Sequence, residues 1–337
     1  MKTAAKVRWG ILGCARIAER ALIPAIRAAR NGELVGIAAR DPVRAREWAG
    51  RHGFKKAYRD YPALLADPEV EAVYNPLPNH LHAPWTTTAA RAGKHVLCEK
   101  PLAINAAEVQ AIAREAERAG VLVLEAFMYR FHPQFVKALE VIRSGRLGRV
   151  QVVRSSFTFA YLGDEGNFRW NRRFGGGSLY DVGCYPVSAA RTVFEAEPIS
   201  VFARAVRRLR RGVDLAAALL LEFPGDRFAL CDSGFAGPFQ SRLEAAGPEG
   251  RLVLNRAFSP KHYDVEVEVL EGDARSAFPI PATDHFRLMV EHFGEAVLKG
   301  RPLRYGLEEA LGQARTLDAA FASMKTGLPA KVARASR

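Results

Sequence analysis

No apolar run in the sequence reaches the roughly 18 residues that a membrane-spanning helix needs. The opening stretch, "MKTAAKVRWGILG", passes into a strand pattern without the apolar core and cleavage site of a secretory signal, so the expected location is the cytoplasm. Cysteine is scarce: Cys14, Cys98, Cys184 and Cys231 stand far apart, with no CxxC and no Cys/His cluster. This spacing excludes a disulfide framework and a zinc site, no metal is expected, and the four read as small core residues or loop thiols. Acids are also short, 36 against 49 lysines and arginines, for a formal net charge of +13. Such an excess can signal nucleic acid, an anionic cofactor or an arginine-rich surface. The densest basic knot, "RRLRRG" from Arg207 to Gly212, lies between two strand-like runs and reads as a solvated hairpin turn. No aromatic-interleaved basic stripe and no helix-turn-helix pattern accompanies it, so neither nucleic acid nor membrane is an expected partner. Internal repeats and low-complexity segments are absent as well.

What is present is an ordinary globular composition, 49% hydrophobic and 25% charged, in 337 residues, a length that favours two domains. From Val7 to Leu124, short β-rich runs ("VRWGIL", "LVGIA", "AVYN", "HVLC", "VLVL") alternate with helical segments such as "AAEVQAIAREAERAG". Alternation of this kind implies parallel strands joined by crossover helices, hence a doubly wound sheet. After Phe127 the rhythm changes. A helix, "FVKALEVIRSG", is followed by the strand-like runs "VQVVRSSFTFA", "ISVFARAV", "DLAAALLLEF", "RFALCDSGF", "RLEAAG" and "HYDVEVEVL". Short turn signals between them suggest an antiparallel sheet. Two helical stretches, "FRLMVEHFGEAVLKG" and "LEEALGQARTLDAAFASMKTG", close the chain before "LPAKVARASR", read as a loose basic tail. The expected fold is α/β: an N-terminal doubly wound parallel sheet over residues 1–127, and an α+β domain with a large, mostly antiparallel open sheet over residues 128–330. The C-terminal helices are free to pack back on the first domain.

"WGILGCARIAERA" has the position of a dinucleotide fingerprint, after the first strand and opening the first helix. Gly13, Ala15 and Ala18 stand where the pattern has three glycines, so the tight-turn glycine is kept and alanine fills the positions of close approach. Backbone N–H groups from Ala15 through Arg16 to Ile17 would hold phosphates through unpaired donors and the helix dipole. The second strand ends in "IAARDP". An NAD site usually carries an acid there for the ribose 2′-hydroxyl, whereas Ala39 followed by the Arg40 cation suits a 2′-phosphate and hence NADP. The competing reading makes Asp41 the ribose acid and the cofactor NAD.

The run "HVLCEKPLA" ends a buried strand in Glu99, Lys100 and Pro101, at the sheet edge where ligands of an open parallel sheet bind. "AGKHVLCEKPLA", preceded by "NPLPNHLH" and followed by "LEAFMYRFHP", resembles the glucose-fructose oxidoreductase, inositol dehydrogenase and rhizopine-catabolism family of NAD(P)-dependent oxidoreductases, and the similarity spans nearly the whole chain. This resemblance implies that Lys100 points at the substrate carbon exchanging hydride and that the Lys100–Pro101 peptide is cis. It implies that Asn75, Pro76, Pro78 and Asn79 lie along the cofactor, with Glu99 on the nicotinamide ribose. His82 on the following helix is expected beside the cofactor loop, packing or capping rather than catalysing. Arg130 and His132 are expected within reach of cofactor and substrate.

"FGGGSLYDVGCYPVSAARTVF" carries the second motif. Ser178 starts a helix on which Asp181 and Tyr185, four residues apart, share a face. Ser178-x-x-Asp181 is also a capping-box pattern, and Tyr185 could be an amphipathic packing residue. Many family members read D-x-G-x-H here, with histidine as general base. The D-V-G-C-Y of this chain is similar to the branch with tyrosine, which contains dihydrodiol dehydrogenases and NADP-dependent aldose 1-dehydrogenases, and it makes inositol-type chemistry less expected. A phenol titrates at about 10, and a nearby ammonium such as that of Lys100 brings it toward useful basicity. In the upstream loop, Arg169, Trp170 and Asn171 form a polar and aromatic set suited to a sugar. The resemblance therefore implies an NADP-dependent oxidoreductase acting on a sugar or polyol carbon, first of all the C1 hydroxyl of an aldose, with Lys100, Tyr185 and Asp181 as the catalytic set. Two alternatives stand beside it: an NADPH-dependent dihydrodiol or carbonyl reductase, and a non-catalytic dinucleotide-sensing regulator. A homodimer or homotetramer is implied through the second sheet.

Overall fold

The computed structural model describes residues 5–161, 163, 166–207 and 212–333. The chain divides into two units, Met1–Met128 with Asp284–Leu311 and Tyr129–Thr283 with Gly312–Arg337.

In the first unit, strands β1 (Val7–Leu12), β2 (Gly32–Ala38), β3 (Lys56–Tyr58), β4 (Ala72–Asn75), β5 (His95–Cys98) and β6 (Val123–Glu125) are all parallel, in the order β3-β2-β1-β4-β5-β6. This is the order of a doubly wound dinucleotide-binding sheet, whose ligand site lies beyond the strand ends where the winding reverses, here between β1 and β4. Burial on both faces explains why the strands read as unbroken apolar runs; every residue of β4 is buried. The crossovers contain helices α1 (Ile23–Ala28), α2 (Pro42–Arg51), α3 (Tyr61–Ala66), α4 (His82–Arg91) and α5 (Ala106–Ala119).

Local chemistry sets their ends. The Asp60 carboxylate accepts from the Ala63 N–H at 2.7 Å to cap α3, and Asn105 accepts from the Glu108 N–H at 2.9 Å to cap α5. Gly120, with φ of 64°, closes α5 in the left-handed region. From the far end of the chain, the helix His285–Lys299 joins this unit, where Phe293 meets the fully buried Trp9 with ring centroids 5.3 Å apart.

Among the described residues, the second unit contains α6 (Pro133–Arg143), α7 (Cys184–Phe194), most of the helix Leu307–Thr326 and nine strands. These are β7 (Val152–Thr158), β8 (Ser200–Arg207), β9 (Asp214–Phe223), β10 (Arg227–Gly234), β11 (Gln240–Ala246), β12 (Arg251–Asn255), β13 (Val265–Glu271), β14 (Ala274–Ile280) and β15 (Ala330–Lys331). Their order is β14-β13-β12-β11-β7-β10-β9-β8-β15. Neighbours run antiparallel except β7 and β10, which pair in parallel because the β8-β9-β10 meander returns the chain beside β7. The sheet is therefore mixed rather than purely antiparallel. Part of the expected loose tail also has structure: Ala330 and Lys331 pair with β8, and the Val332 N–H donates to the Ile199 carbonyl at 3.0 Å. An open edge strand supplies unpaired backbone groups for such an addition. Arg208–Arg211 of the basic knot lie outside the described residues.

One face of this sheet is packed by α6 and α7. Across the other runs a row of paired positions, Phe202, Leu220, Leu230, Arg154 and Glu244, from apolar to charged. Leu220 and Leu230 are 41% and 43% exposed.

Gly36 of β2 faces the ring of Tyr58 on β3, and a Cβ at Gly36 would run into that ring. The ring cannot swing away cheaply, because the Tyr58 hydroxyl donates to Asp67 at 2.7 Å. Gly36→Ala is therefore expected to destabilise the protein by about 1–3 kcal/mol, the usual cost of overpacking, as read from urea unfolding. Unchanged stability would mean that the ring is not held over this glycine.

Candidate active site

At the end of β1 the chain must turn sharply under the second loop of the sheet. Gly13 has φ of +92°, donates its N–H to the Ala38 carbonyl at 2.7 Å, and lies so close to Leu77 that a Cβ would stand 2.9 Å from its Cδ2. Only glycine meets both demands. Ala15 is half-buried, while Arg16 and Ile17 are exposed. Ala18–Leu22 then forms a widened π turn leading into α1. Pro24 explains the widening, since it has no N–H to return to the carbonyl of Arg20 four residues back. An open helix start of this kind fits the phosphates of a dinucleotide.

Beyond β2, Ala39 is buried and Arg40 exposed. The Asp41 carboxylate accepts from the Val43 N–H at 2.9 Å and caps α2, so the acid weighed as a ribose ligand has a structural task. Arg44 of α2 donates to the Cys14 carbonyl at 3.3 Å, and burial pushes the Cys14 thiol up to about 11, which keeps it inert.

The β4 and β5 ends are held by side chains that never leave the interior. Asn75 is fully buried, donates to the His82 carbonyl and the Thr86 hydroxyl at 3.1 Å each, and accepts from the Leu77 N–H at 3.3 Å. It thereby shapes the loop containing Pro76, Pro78 and the buried Asn79. His82 is buried at the start of α4 with Nε2 2.6 Å from the Leu77 carbonyl and Nδ1 2.7 Å from the Pro101 carbonyl. Burial lowers its pKa to about 4 against the pull of the two carbonyls, so at neutral pH the ring carries one proton for two acceptors. The imidazole lies between both loops at the sheet's ligand-binding end, its single N–H donating to one of the two carbonyls at a time.

Glu99 donates its N–H to the Asn75 carbonyl at 3.0 Å, and its carboxylate accepts from the Tyr74 hydroxyl at 2.6 Å. Lys100 follows, half-buried, before a cis peptide to Pro101. The Leu102 N–H donates to Glu125 at 2.8 Å. Tyr74 and Glu125 were not foreseen, since a polar atom inside a strand gives no local sign of which distant loop it holds.

In the second unit, Leu179–Gly183 is again a π turn, and again a proline, Pro186, follows in the helix it opens. Asp181 accepts from Arg169 Nε at 2.7 Å. Burial works against the charge of Arg169, but the Asp181 carboxylate more than offsets it, so Arg169 stays firmly cationic. Its guanidinium lies over the rings of Tyr161 and Phe168, at 5.5 and 4.8 Å. Trp170 is only 5% exposed, packs on Tyr161 and Phe235, and donates to the Gly163 carbonyl at 3.4 Å, so its described contacts lie within the aromatic core. Asn171 accepts from the Arg173 N–H at 2.9 Å, the work of a local cap.

Tyr185 is 4% exposed and walled by Phe157, Phe258 and Tyr129, with centroids 5.3 to 5.8 Å away. One turn later, Ser188 receives Arg130 Nη2 at 2.7 Å and Nε at 3.1 Å and lies 2.6 Å from the Tyr129 hydroxyl. Arg130 thus bonds to α7 through Ser188. His132, fully buried, accepts from the Gln134 N–H at 3.1 Å to cap α6, and burial holds its pKa near 4.

The model of the oxidoreductase family with an NAD-binding Rossmann fold, GFO_IDH_MocA, matches residues 7–127, and that of the GFO/IDH/MocA C-terminal domain matches residues 135–253. The chain belongs to this family. Among relatives of the GFO/IDH/MocA chain, a D-xylose 1-dehydrogenase (NADP(+)) of Haloferax volcanii is 40% identical, over 95% of this chain and 98% of that protein. The 3-ketoreductase KijD10 of Actinomadura kijaniata, solved with NADP and TDP-benzene, superposes with a TM-score of 0.89 at 35% identity, over 94% of this chain and 98% of that one. An aldose-aldose oxidoreductase of Caulobacter crescentus gives 0.89 at 29% identity, over 97% and 99%. The family is one of oxidoreductases, which identifies the chain as an enzyme of that class. No helix among the described residues is long and apolar enough to cross a membrane.

His82→Ala removes the donor shared by the Leu77 and Pro101 carbonyls. An unsatisfied buried acceptor costs about 1–3 kcal/mol, so titration calorimetry is expected to show dinucleotide affinity reduced by about tenfold or more. Wild-type affinity in a folded His82→Ala protein would mean that the two loops hold their shape without the imidazole.

Proposed function

We propose that the chain is an NADP-dependent oxidoreductase that moves hydride between the nicotinamide and a sugar or polyol carbon, with oxidation of an aldose C1 hydroxyl to the lactone as its leading reaction. The observation that carries the reading is the state of the D-V-G-C-Y turn. Asp181 is held in an ion pair by Arg169, which leaves the Tyr185 phenol as the group in the base position of this helix. The 40% identity to an NADP-dependent D-xylose dehydrogenase supports the sugar, and the capping role of Asp41 beside the exposed Arg40 supports the 2′-phosphate.

The N–H groups from Ala15 to Ile17 would take the pyrophosphate, Arg40 the 2′-phosphate, and Glu99 the nicotinamide ribose. Bound there, the nicotinamide supplies the hydride acceptor or donor. Tyr185 takes the proton of the sugar hydroxyl, and Lys100 orients that hydroxyl and stabilises negative charge growing on its oxygen. Asp181, through Arg169, orders the substrate side. The likeness to a 3-ketoreductase favours the same residues working in reverse, with Tyr185 returning its proton to a keto sugar.

The test is turnover of aldoses, inositols, aromatic dihydrodiols and keto sugars with NADP(H) and NAD(H). Aldose oxidation preferring NADP⁺ is expected, and Tyr185→Phe is expected to lose about 10²–10⁴ in rate with cofactor affinity kept. Activity confined to inositols and NAD⁺ would overturn both the tyrosine and the Arg40 assignments. Turnover of keto sugars alone would place the enzyme among the carbonyl reductases, turnover of diols alone among the dihydrodiol dehydrogenases, and tight NADPH binding without turnover would make it a sensor.

The row of Phe202, Leu220 and Leu230 on the outer face of the second sheet further supports a homodimer or homotetramer. Light scattering at micromolar concentration is expected to give a multiple of the chain mass, and a monomer removes the claim.

A further inference from the structure

The helix that carries Asp181 and Tyr185 starts at Ser178, whose own side chain does not cap it. Ser178 has helical angles, φ −68° and ψ −32°, and makes no capping bond with its side chain, so the Ser178-x-x-Asp181 pattern is not used as a capping box. Its hydroxyl instead donates to Asp214 Oδ2 at 2.8 Å and lies 3.1 Å from the Ser233 hydroxyl, while the Leu179 N–H donates to the same carboxylate oxygen at 2.6 Å. Asp214 is the first residue of β9 and only 6% exposed. A carboxylate from a distant strand therefore takes the place of the missing cap and sets its charge against the positive end of the helix. Burial raises the pKa of Asp214, and the donors from Leu179 and Ser178 act in the opposite sense.

A second observation marks this contact as built. Gly177, immediately before Ser178, has φ of +114°, and a Cβ there would run into Asp214 Oδ1. The glycine supplies both the backbone conformation and the room for the carboxylate. Between the clamp and Tyr185 lies only the π turn Leu179–Gly183, where the regular α ladder is interrupted.

We propose that Asp214 is a positioning residue of the active site: by fixing the start of the π turn it aims Asp181 and Tyr185, and its removal misdirects the base while the fold persists. This rests on the reading of Tyr185 as the base, and the test separates the two. D214N keeps the shape of the side chain but leaves one acceptor oxygen and no charge. Turnover of D-xylose with NADP⁺ is measured for wild type, D214N, Y185F and the double variant, together with Tm and dinucleotide affinity. The expected result is a loss of kcat of up to about 10²-fold in D214N with dinucleotide affinity unchanged, and a loss of less than about twofold when D214N is added to Y185F.

Equal losses in both backgrounds, or full turnover in D214N, would overturn the positioning role alone. Full turnover in Y185F, or no turnover of any sugar of the panel in wild type, would remove the base reading and this proposal with it. Hydrogen exchange over residues 178–185 needs no substrate, and faster exchange in D214N is expected; unchanged exchange would overturn the clamp. If D214N does not fold, S178A, which deletes one hydroxyl, is carried through the same cycle and judged by the same outcomes.

Discussion

Where a strand ends, its backbone groups lose their ladder partners, and the loops that follow must find donors and acceptors elsewhere. This constraint shapes the ligand-binding end of the first unit. The segments after β4 and β5 carry the proposed cofactor and substrate residues. Asn75, His82, Tyr74 and Glu125 hold them from within through side-chain bonds to these loops. The result is an edge whose loops are braced by bonds within the protein itself. Preorganisation matters because reacting groups have to be held close to the geometry of the transition state, and errors of an ångström are costly.

The second unit meets the same requirement by other means. Its site helix gains polar support from Asp214 at one end and from Arg130 and Tyr129 through Ser188 one turn past Tyr185. Apolar rings fill the space between. Phe157, Phe258 and Tyr129 bound the phenol on several sides, so its rotamer is limited by packing. Asp181 is similarly limited by its ion pair with Arg169.

Much of the first unit was legible in the sequence because a parallel strand buried on both faces is an apolar run, and β1, β2, β4, β5 and β6 are such runs. The three-residue β3 was not, being too short and too mixed to show a period. In the second unit β12 and β14 were also missed, and the parallel pairing of β7 with β10 has no local signature, since direction is decided by where the intervening chain returns. Gly13 could be named from its place in the strand-turn-helix fingerprint, and Lys100, Asp181 and Tyr185 because the resemblance carries them residue by residue. Trp170 and Asn171 were read from residue type alone, and the structure gives them packing and capping contacts that residue type does not encode. Asp214 escaped for the same reason as Glu125: its partner is 35 residues away in the chain, and an acid beginning a strand looks like any solvated one.

Both helices that carry proposed site residues begin in a π turn upstream of a proline, Pro24 in one unit and Pro186 in the other. A turn closed from i to i+5 is an α turn with one residue added, and each helical residue accounts for about 100° of rotation. The number of residues between Gly13 and Pro24, and between Gly177 and Pro186, therefore sets the azimuth at which each helix presents its side chains. These two segments should accept changes of residue type more readily than changes of length, so insertions and deletions among related chains should gather in the surface connections and be rare within these intervals.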